Sequence, residues 1–93
     1  MSDFGDFAEV VFGAVRPTLP ADVLRGIDES VADGQLNQAV IEAIVAVSKR
    51  GIGVPVDVRD EIRARIADGV SFRPRDAKLL QHFFVAIEQV SAA

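Results

Sequence analysis

Cysteine is absent from this 93-residue chain, and histidine occurs once, at His82. Without cysteine the chain can form no disulfide, no zinc–thiolate site and no thiol nucleophile. A single histidine leaves no second imidazole for a histidine metal site, and the position between Gln81 and Phe83 predicts a surface or half-buried helical residue. The glycines also lack the strand–loop–helix setting that a phosphate-binding loop needs. These absences argue against an enzyme, and we expect no metal and no cofactor.

Long apolar runs and a signal peptide are missing as well. Uninterrupted apolar stretches such as Ala43–Val47 are far shorter than the roughly 20 residues with which a helix crosses a bilayer. The first residues, Met-Ser-Asp-Phe-Gly-Asp, are acidic and lack the basic start of a signal peptide. We therefore expect a cytoplasmic protein with no membrane partner.

Charge is unevenly distributed along the chain. Apolar residues make up 49% and charged residues 26% of the sequence, which is typical of a single globular domain over residues 1–93. The formal net charge is −4: residues 1–46 carry eight acidic and two basic side chains, whereas residues 47–93 carry six acidic and eight basic ones. An acidic half disfavours nucleic acid, whose binding begins with neutralisation of phosphates. It favours a basic protein partner.

A fifteen-residue segment occurs twice, 35 positions apart. Residues 20–34 (the first copy) and 55–69 (the second copy) begin with Pro, end with Gly and share Asp, Val, Ile, Ala and Asp in register, and Val31 corresponds to Ile66. The Pro, the early Asp and the final Gly are helix-boundary signals that any two well-capped helices would share. The shared Val and Ile are not required by those signals, so duplication and independent similarity both stay open.

Hydrophobic periodicity predicts five helices and no strand. Their expected bounds are Asp3–Val15, Pro20–Asp33, Leu36–Lys49, Val56–Asp68 and Pro74–Val90. The predicted fold class is all-α: a compact five-helix bundle made of an N-terminal helix and two helical hairpins, each hairpin beginning with one copy of the repeated segment. The third helix is apolar on nearly all sides, so we expect it at the centre of the bundle.

Helical spacing also predicts which apolar side chains point inward. In the first copy we expect Val31 inside together with Ile27. The side chains that the last helix is expected to bury are Leu79, Leu80, Phe83, Phe84, Ile87 and Val90. Val70 and Phe72, which precede that helix, are expected to pack beneath it.

The exterior of the first copy carries an acidic stripe. At about 100° per residue, the residues opposite Ile27 are Asp22, Gly26, Glu29 and Asp33. Gly26 costs about 1 kcal/mol of helix stability relative to Ala, and its bare backbone would let a long basic side chain approach closely. We predict that these four residues bind a partner; the alternative is a solvated acidic face with an incidental glycine. Arg73, Arg75 and Lys78 form a smaller basic patch that we interpret as a helix-entry feature.

The middle of the chain combines several short motifs. Leu19-Pro20-Xaa-Xaa-Val23 opens the first copy, whose helix ends in Ala-Asp-Gly-Gln; Ala39 follows in an aliphatic helix, and Gly-Ile-Gly-Val-Pro-Val occupies residues 51–56. Over residues 19–66 this pattern resembles the MafI-like immunity proteins of bacterial polymorphic toxin systems. The resemblance implies a small, acidic, helical protein that is encoded beside a secreted toxin and neutralises the toxin's C-terminal domain by binding it.

Two functions are expected from these observations. The first is a non-enzymatic, monomeric immunity protein that occludes the active site of a cognate toxin; its acidic stripe, joined by Asp3, Asp6 and Glu9, would imitate the toxin's anionic substrate. The second is a self-associating helical adaptor of the death-like or effector-associated type, because the acidic and basic halves would allow head-to-tail contacts. Light scattering over a concentration series separates a strict monomer from open-ended assembly.

Overall fold

Five α-helices make up most of residues 3–90, the part of the chain that the computed structural model describes. They are α1 (Phe4–Val15), α2 (Ala21–Ala32), α3 (Leu36–Lys49), α4 (Val56–Ala67) and α5 (Pro74–Val90). No strand occurs within residues 3–90. The all-α fold class is confirmed, and every helix begins and ends within one residue of its expected bounds. Residues 1–2 and 91–93 of the expected domain lie outside the described range.

Prolines and glycines set the boundaries of the two repeated helices. Pro20 and Pro55 occupy the N-cap positions of α2 and α4 in extended conformations, with ψ angles of 156° and 148°. Gly34 and Gly69 follow the two helices with φ angles of 76° and 73°, in the left-handed region that favours glycine. Both copies of the segment therefore start and stop their helices by the same local means.

α3 lies at the centre of the bundle, as its apolar composition predicts. It packs against α1, α2 and α5, and its buried residues extend from Ala39 to Ser48. α2 pairs with α3 and α4 pairs with α5, which confirms the two hairpins. α1 contacts both α3 and α4 and so joins the hairpins. Within residues 3–90, α2 makes close backbone contact with no helix other than α3.

An aromatic cluster holds the segment between α4 and α5 against α1. Phe72 is buried, and its ring lies edge-on to the rings of Phe4 and Phe7, with centroids 5.6 and 6.5 Å apart. The guanidinium of Arg65 lies over the Phe7 ring, 5.2 Å from its centroid, and also donates to the carbonyl of Asp3. Phe72 is thus inside the bundle as expected, and its aromatic contacts are with α1.

Four apolar side chains expected in the core are exposed instead. Val70 is 86% exposed, so the prediction that it packs beneath α5 is wrong. Val31, Leu79 and Val90 are 41, 44 and 47% exposed, and Phe83 is half-buried. The reason is the number of neighbouring helices: among the described helices, α2 packs against α3 alone, and α5 packs against α3 and α4. Periodicity gives the direction of a buried face, but the surrounding helices determine its width.

Candidate protein-binding surface

The residues of the acidic stripe lie on the outside of α2. Asp22, Glu29 and Asp33 are exposed, and Gly26 is partly exposed. Ile27, on the opposite side, is the one residue of α2 that is fully buried. Within residues 3–90, none of the three stripe carboxylates forms a salt bridge. The stripe is therefore accessible, and no ion pair among the described residues neutralises its charge.

Gly26 interrupts the stripe without a packing reason. A Cβ atom built at this position would meet nothing within 4 Å outside its own stretch of helix. Alanine would therefore fit, and it would favour the helix by about 1 kcal/mol. Because the fold does not require glycine here, the residue is compatible with close approach of a partner to the backbone of α2.

The C-terminal end of α2 carries charge of the unfavourable sign. Glu29 and Asp33 add negative charge where the helix dipole is already negative, and the last turn contains no basic residue. α4 differs, because Arg65 lies in its last turn. The carboxylates of α2 thus weaken their own helix while they strengthen the attraction for a cation at this end.

A groove between α1 and α2 gathers a second set of carboxylates. We call it the α1–α2 groove; its volume is about 410 Å³. The residues that line it are Asp3, Gly5, Asp6, Ala8, Glu9, Phe12, Arg16, Asp28, Val31 and Leu36. Among residues 3–90, this lining includes four carboxylates and one guanidinium, a formal net charge of −3. The acids are exposed whereas Phe12 and Leu36 are half-buried, so apolar surface lies beneath a charged rim.

Three of the four acids come from the beginning of α1. Asp3 caps the helix, because its Oδ1 accepts a hydrogen bond from the Asp6 N–H at 2.8 Å. Asp6 and Glu9 follow at a spacing of three residues, which places neighbouring side chains on one helix face. The helix dipole favours Asp6, which lies in the first turn of α1, whereas Glu9 lies beyond that turn and gains little from the dipole.

The fourth acid, Asp28, forms an ion pair that links α2 to the end of α1. Arg16 Nη2 lies 2.7 Å from Asp28 Oδ1, and Nη1 lies 3.4 Å from Oδ2. The hydrogen bond from Arg16 lowers the pKa of Asp28 below its ordinary value, and the same bond raises the pKa of Arg16. The two side chains are 50% and 53% exposed, and ion pairs at such sites contribute little to the free energy of unfolding.

A second hollow lies on the other side of this ion pair. We call it the outer hollow of α2; its volume is about 570 Å³. It is lined by Arg16, Ala21, Leu24, Arg25, Asp28, Glu29 and Ala32. Arg16 and Asp28 line both spaces, so their ion pair is common to the groove and the hollow. Of the stripe residues, Glu29 reaches the outer hollow, whereas Asp22, Gly26 and Asp33 line neither space.

The structure thus divides the acidic surface into two parts. Asp3, Asp6 and Glu9, which sequence reasoning grouped with the stripe, lie with Asp28 in the α1–α2 groove. Sequence reasoning did not single out Asp28 or Val31 as site residues, because the helical period assigns Val31 to the core and no local signal shows that α2 stands apart from α1. The three-residue spacing of the α1 acids was the one signal that could have found the groove.

The predicted basic patch lies elsewhere on the bundle. Arg73 and Arg75 are exposed and line a polar cavity of about 370 Å³ near the first residues of α3 and α5. Asp76 lies in the same lining, and Asn37 Nδ2 donates to the Ser71 carbonyl at 3.0 Å. This cavity therefore has mixed charge and lacks the excess of carboxylates found in the α1–α2 groove.

The single histidine and the described carboxylates form no metal site within residues 3–90. His82 is exposed, and its ring meets the Phe83 ring edge-on with centroids 5.4 Å apart. In the described part of the chain, no three His, Cys, Asp or Glu residues are grouped so that they could hold a metal ion. None of the five helices has the length and apolar character needed to cross a membrane. The candidate surface is the acidic side formed by α1 and α2.

Comparison with known proteins gives no match: no protein-family model, no curated protein and no solved structure matches this chain. The similarity to MafI-like immunity proteins therefore stays a prediction from short motifs within residues 19–66. The functional interpretation depends on the chemistry of the surfaces described above.

Proposed function

We propose that this protein is a non-enzymatic inhibitor that binds a basic protein partner through the acidic side formed by α1 and α2. The observation that supports the proposal is an imbalance of charge, since the α1–α2 groove is lined by four carboxylates and one guanidinium. The second half of the chain is different: Arg59 and Arg63 pair with Asp60, and Arg63 also pairs with Glu88. Carboxylates left without ion pairs on one side attract and orient a cationic partner.

A bacterial toxin domain that acts on an anionic substrate is the partner that fits this charge. Such a domain needs a basic active site, and an acidic protein surface would cover that site while imitating the charge of the substrate. The motifs within residues 19–66 support an immunity protein of this type. Inhibition by occlusion requires no catalytic group, metal or cofactor from the inhibitor.

Co-expression with the toxin domain encoded beside this protein tests the proposal directly. We expect the protein to restore growth to cells that produce the toxin and to co-purify with it. A toxin inactivated in its active site provides the binding control, because it can be produced without killing the cell. The proposal would be refuted if the protein neither rescued growth nor bound the toxin.

Charge reversal at matched positions tests the role of the stripe. Asp22 and Asp57 occupy equivalent exposed positions in the first turns of α2 and α4, so replacing either by Lys carries the same helix-dipole cost. We expect D22K to weaken toxin binding and flatten its salt dependence, as should the double variant E29K/D33K. D57K should leave both unchanged. Equal effects of D22K and D57K would remove the stripe from the interface.

A self-associating adaptor of the death-like or effector-associated type is the second candidate function. It is favoured by apolar side chains exposed outside the acidic side, namely Val70 at 86% and Leu79 at 44%. Arg73 and Arg75 lie between them in the sequence and are also exposed, so this region would complement the acidic side of another molecule, head to tail. In light scattering, open-ended assembly would support the adaptor, and a strict monomer at high concentration would support the inhibitor.

A further inference from the structure

We infer that the α1–α2 groove receives an arginine side chain of the protein partner, and that Arg16 occupies this position until the partner binds. The inference rests on the proposed function, because it names the chemical group by which the basic partner would be recognised. Arg16 is then an internal stand-in for the guanidinium of the partner, and the observations that carry this idea are the geometry, charge and lining of the groove.

The geometry of Asp28 shows that the groove accepts a guanidinium. Each carboxylate oxygen of Asp28 accepts a hydrogen bond from a different nitrogen of Arg16, at 2.7 and 3.4 Å, so the contact has two points. This contact suits the planar fork of arginine, whose parallel donors match the two oxygens of a carboxylate, whereas the ammonium of lysine is a compact point charge. Asp28 is therefore oriented for arginine before any partner binds.

The charge of the groove leaves room for a further cation. Within residues 3–90, the side chains of Asp6 and Glu9 have no salt-bridge partner, and Asp3 uses one oxygen to cap α1. Arg16 cannot by itself neutralise four carboxylates, so the described residues of the lining keep a formal net charge of −3. A partner that brings more than one cationic side chain would reduce the mutual repulsion of these acids.

The apolar part of the lining suits the stem of a long cationic side chain. Phe12 and Leu36 are half-buried, and Val31 is 41% exposed although helical periodicity assigns it to the core. Arginine buries its methylene groups along such a surface while its charged head reaches a polar rim. Phe12 also brings an aromatic side chain to the lining, and guanidinium groups favour contact with such rings.

The ion pair that holds Arg16 in place is easily exchanged. Half of each side chain is exposed, and a pair at such a site is opposed by water and by the entropy of two flexible side chains. An incoming guanidinium would replace Arg16 on Asp28 in a space that Asp6 and Glu9 also line. Arg16 also lines the outer hollow of α2, so its displacement would change the lining of both spaces.

Nuclear magnetic resonance titration with two short capped peptides tests this inference without the toxin. One peptide alternates arginine with alanine, and the other is identical except that lysine replaces arginine. We expect the arginine peptide to shift the amide resonances around Glu9, Phe12 and Val31, and to bind about threefold or more tightly than the lysine peptide. Shifts spread evenly over all acidic residues, or equal affinity for the two peptides, would overturn the inference.

Two arginine variants supply the matched comparison. R16Q and R63Q each remove one positive charge from a side chain of similar exposure, 50% and 47%, that pairs with an aspartate. R16Q frees Asp28, so we expect affinity for the arginine peptide to rise by about threefold, whereas R63Q should change it by less than about 1.5-fold. If both variants increased affinity equally, the gain would come from net charge, and the role of Arg16 would be refuted.

The outcome is separable from that of the proposed function. If the protein binds and neutralises the toxin but the arginine peptide does not bind the groove, the inhibitor function is supported and only the arginine site is refuted. Conversely, binding of the peptide at the groove combined with failure of toxin rescue would remove the inhibitor and retain the site. D28N should abolish the preference for arginine over lysine, and retention of that preference would contradict the contact with Asp28.

Discussion

α2 and α4 belong to the two copies of the repeated segment, in which Pro precedes the helix and Gly follows it, yet different contacts hold the two helices in the bundle. Each has an N-cap proline in extended conformation and a left-handed glycine beyond its end. Ile27 and Ile62, at equivalent positions, are 2% and 1% exposed. The third inward position diverges: Val31 is 41% exposed, whereas Ile66 is 6% exposed. The two copies of the repeated segment thus have the same backbone conformation at their ends, whereas their side chains are buried to different depths.

Neighbouring helices explain the divergence. α4 lies against α5 and also contacts α1, whereas α2 lies against α3 alone among the described helices. The charged side chains of the two helices differ in a similar way, because those of α4 contact neighbouring helices more than those of α2 do. Arg63 ties α4 to Glu88 of α5, and Arg65 ties it to the aromatic cluster of α1. On α2, Asp28 has one exposed ion pair and the stripe carboxylates have none within residues 3–90. A locally specified helix can therefore serve as scaffold or as accessible surface, according to what packs on it.

The largest expected difference between the copies is at the third inward position. I66N loses the burial of an apolar side chain and leaves an amide without a designed partner, so we expect it to lower the free energy of unfolding by about 3 to 5 kcal/mol. V31N places the same amide at an exposed site and should cost less than about 1 kcal/mol. Urea denaturation measures both values. Equal losses would show that α2 is buried as deeply as α4.

Alanine substitutions at the two central isoleucines should lower the free energy of unfolding by similar amounts but should affect different parts of the bundle. We expect I27A and I62A each to cost about 2 to 4 kcal/mol, because both side chains are fully buried. Since Ile27 is the one fully buried residue of α2, I27A should expose the amides of α2 to hydrogen exchange while α3 to α5 stay protected. I62A should lower protection throughout the bundle. L79A, at a half-exposed site, is the control and should cost less than about 1 kcal/mol.

The glycines after α2 and α4 should be equally sensitive to substitution. G34A and G69A force a Cβ into the left-handed region. No atom of residues 3–90 outside the immediate chain neighbours lies within 4 Å of that Cβ at either position, so we expect backbone strain to dominate the cost. We expect each to destabilise the protein by about 1 to 2 kcal/mol in thermal or urea denaturation. G26A, inside α2, should be neutral or stabilising by up to about 1 kcal/mol. A loss of stability in G26A would show that glycine is needed by the fold.

The smallest expected effect is a shift in titration at low pH. Hydrogen bonds from Arg16 and Arg59 lower the pKa values of Asp28 and Asp60 below the ordinary value near 3.8. A lowered pKa in the folded state means that the contribution to stability is complete above the unfolded pKa and is lost as the pH falls through the folded pKa. R16Q should return the pKa of Asp28 to its ordinary value and leave that of Asp60 unchanged. Carboxyl carbon resonances measure both; a shift at Asp60 would couple the two copies.

Much of the fold follows from local rules that one sequence displays. Pro20 and Pro55 cannot continue a preceding helix, and Gly34 and Gly69 take the left-handed conformation at little cost, so the bounds of α2 and α4 were predictable. The central position of α3 followed from its lack of a broad polar face. The exposure of Val31, Leu79 and Val90 was not predictable, because it depends on which helices are absent beside α2 and α5.

The candidate surface was only partly readable from sequence. The acids of the stripe share one helix, so helical spacing alone places them together on the outside. The α1–α2 groove brings together Asp6 and Glu9 of α1 with Asp28 and Val31 of α2. These residues meet because α1 and α2 both pack on α3 and leave a space between them.

The sequence by itself determined the helices, their ends, the order of the hairpins and the acidic character of the first half. These properties depend on backbone conformational preference and on residues close to one another along the chain. Tertiary structure alone decided which copy of the repeated segment is more deeply buried and where the carboxylates of two helices lie near one another. It also decided that Arg16 pairs with Asp28. Those outcomes depend on contacts between distant segments, whose formation requires the whole bundle to assemble.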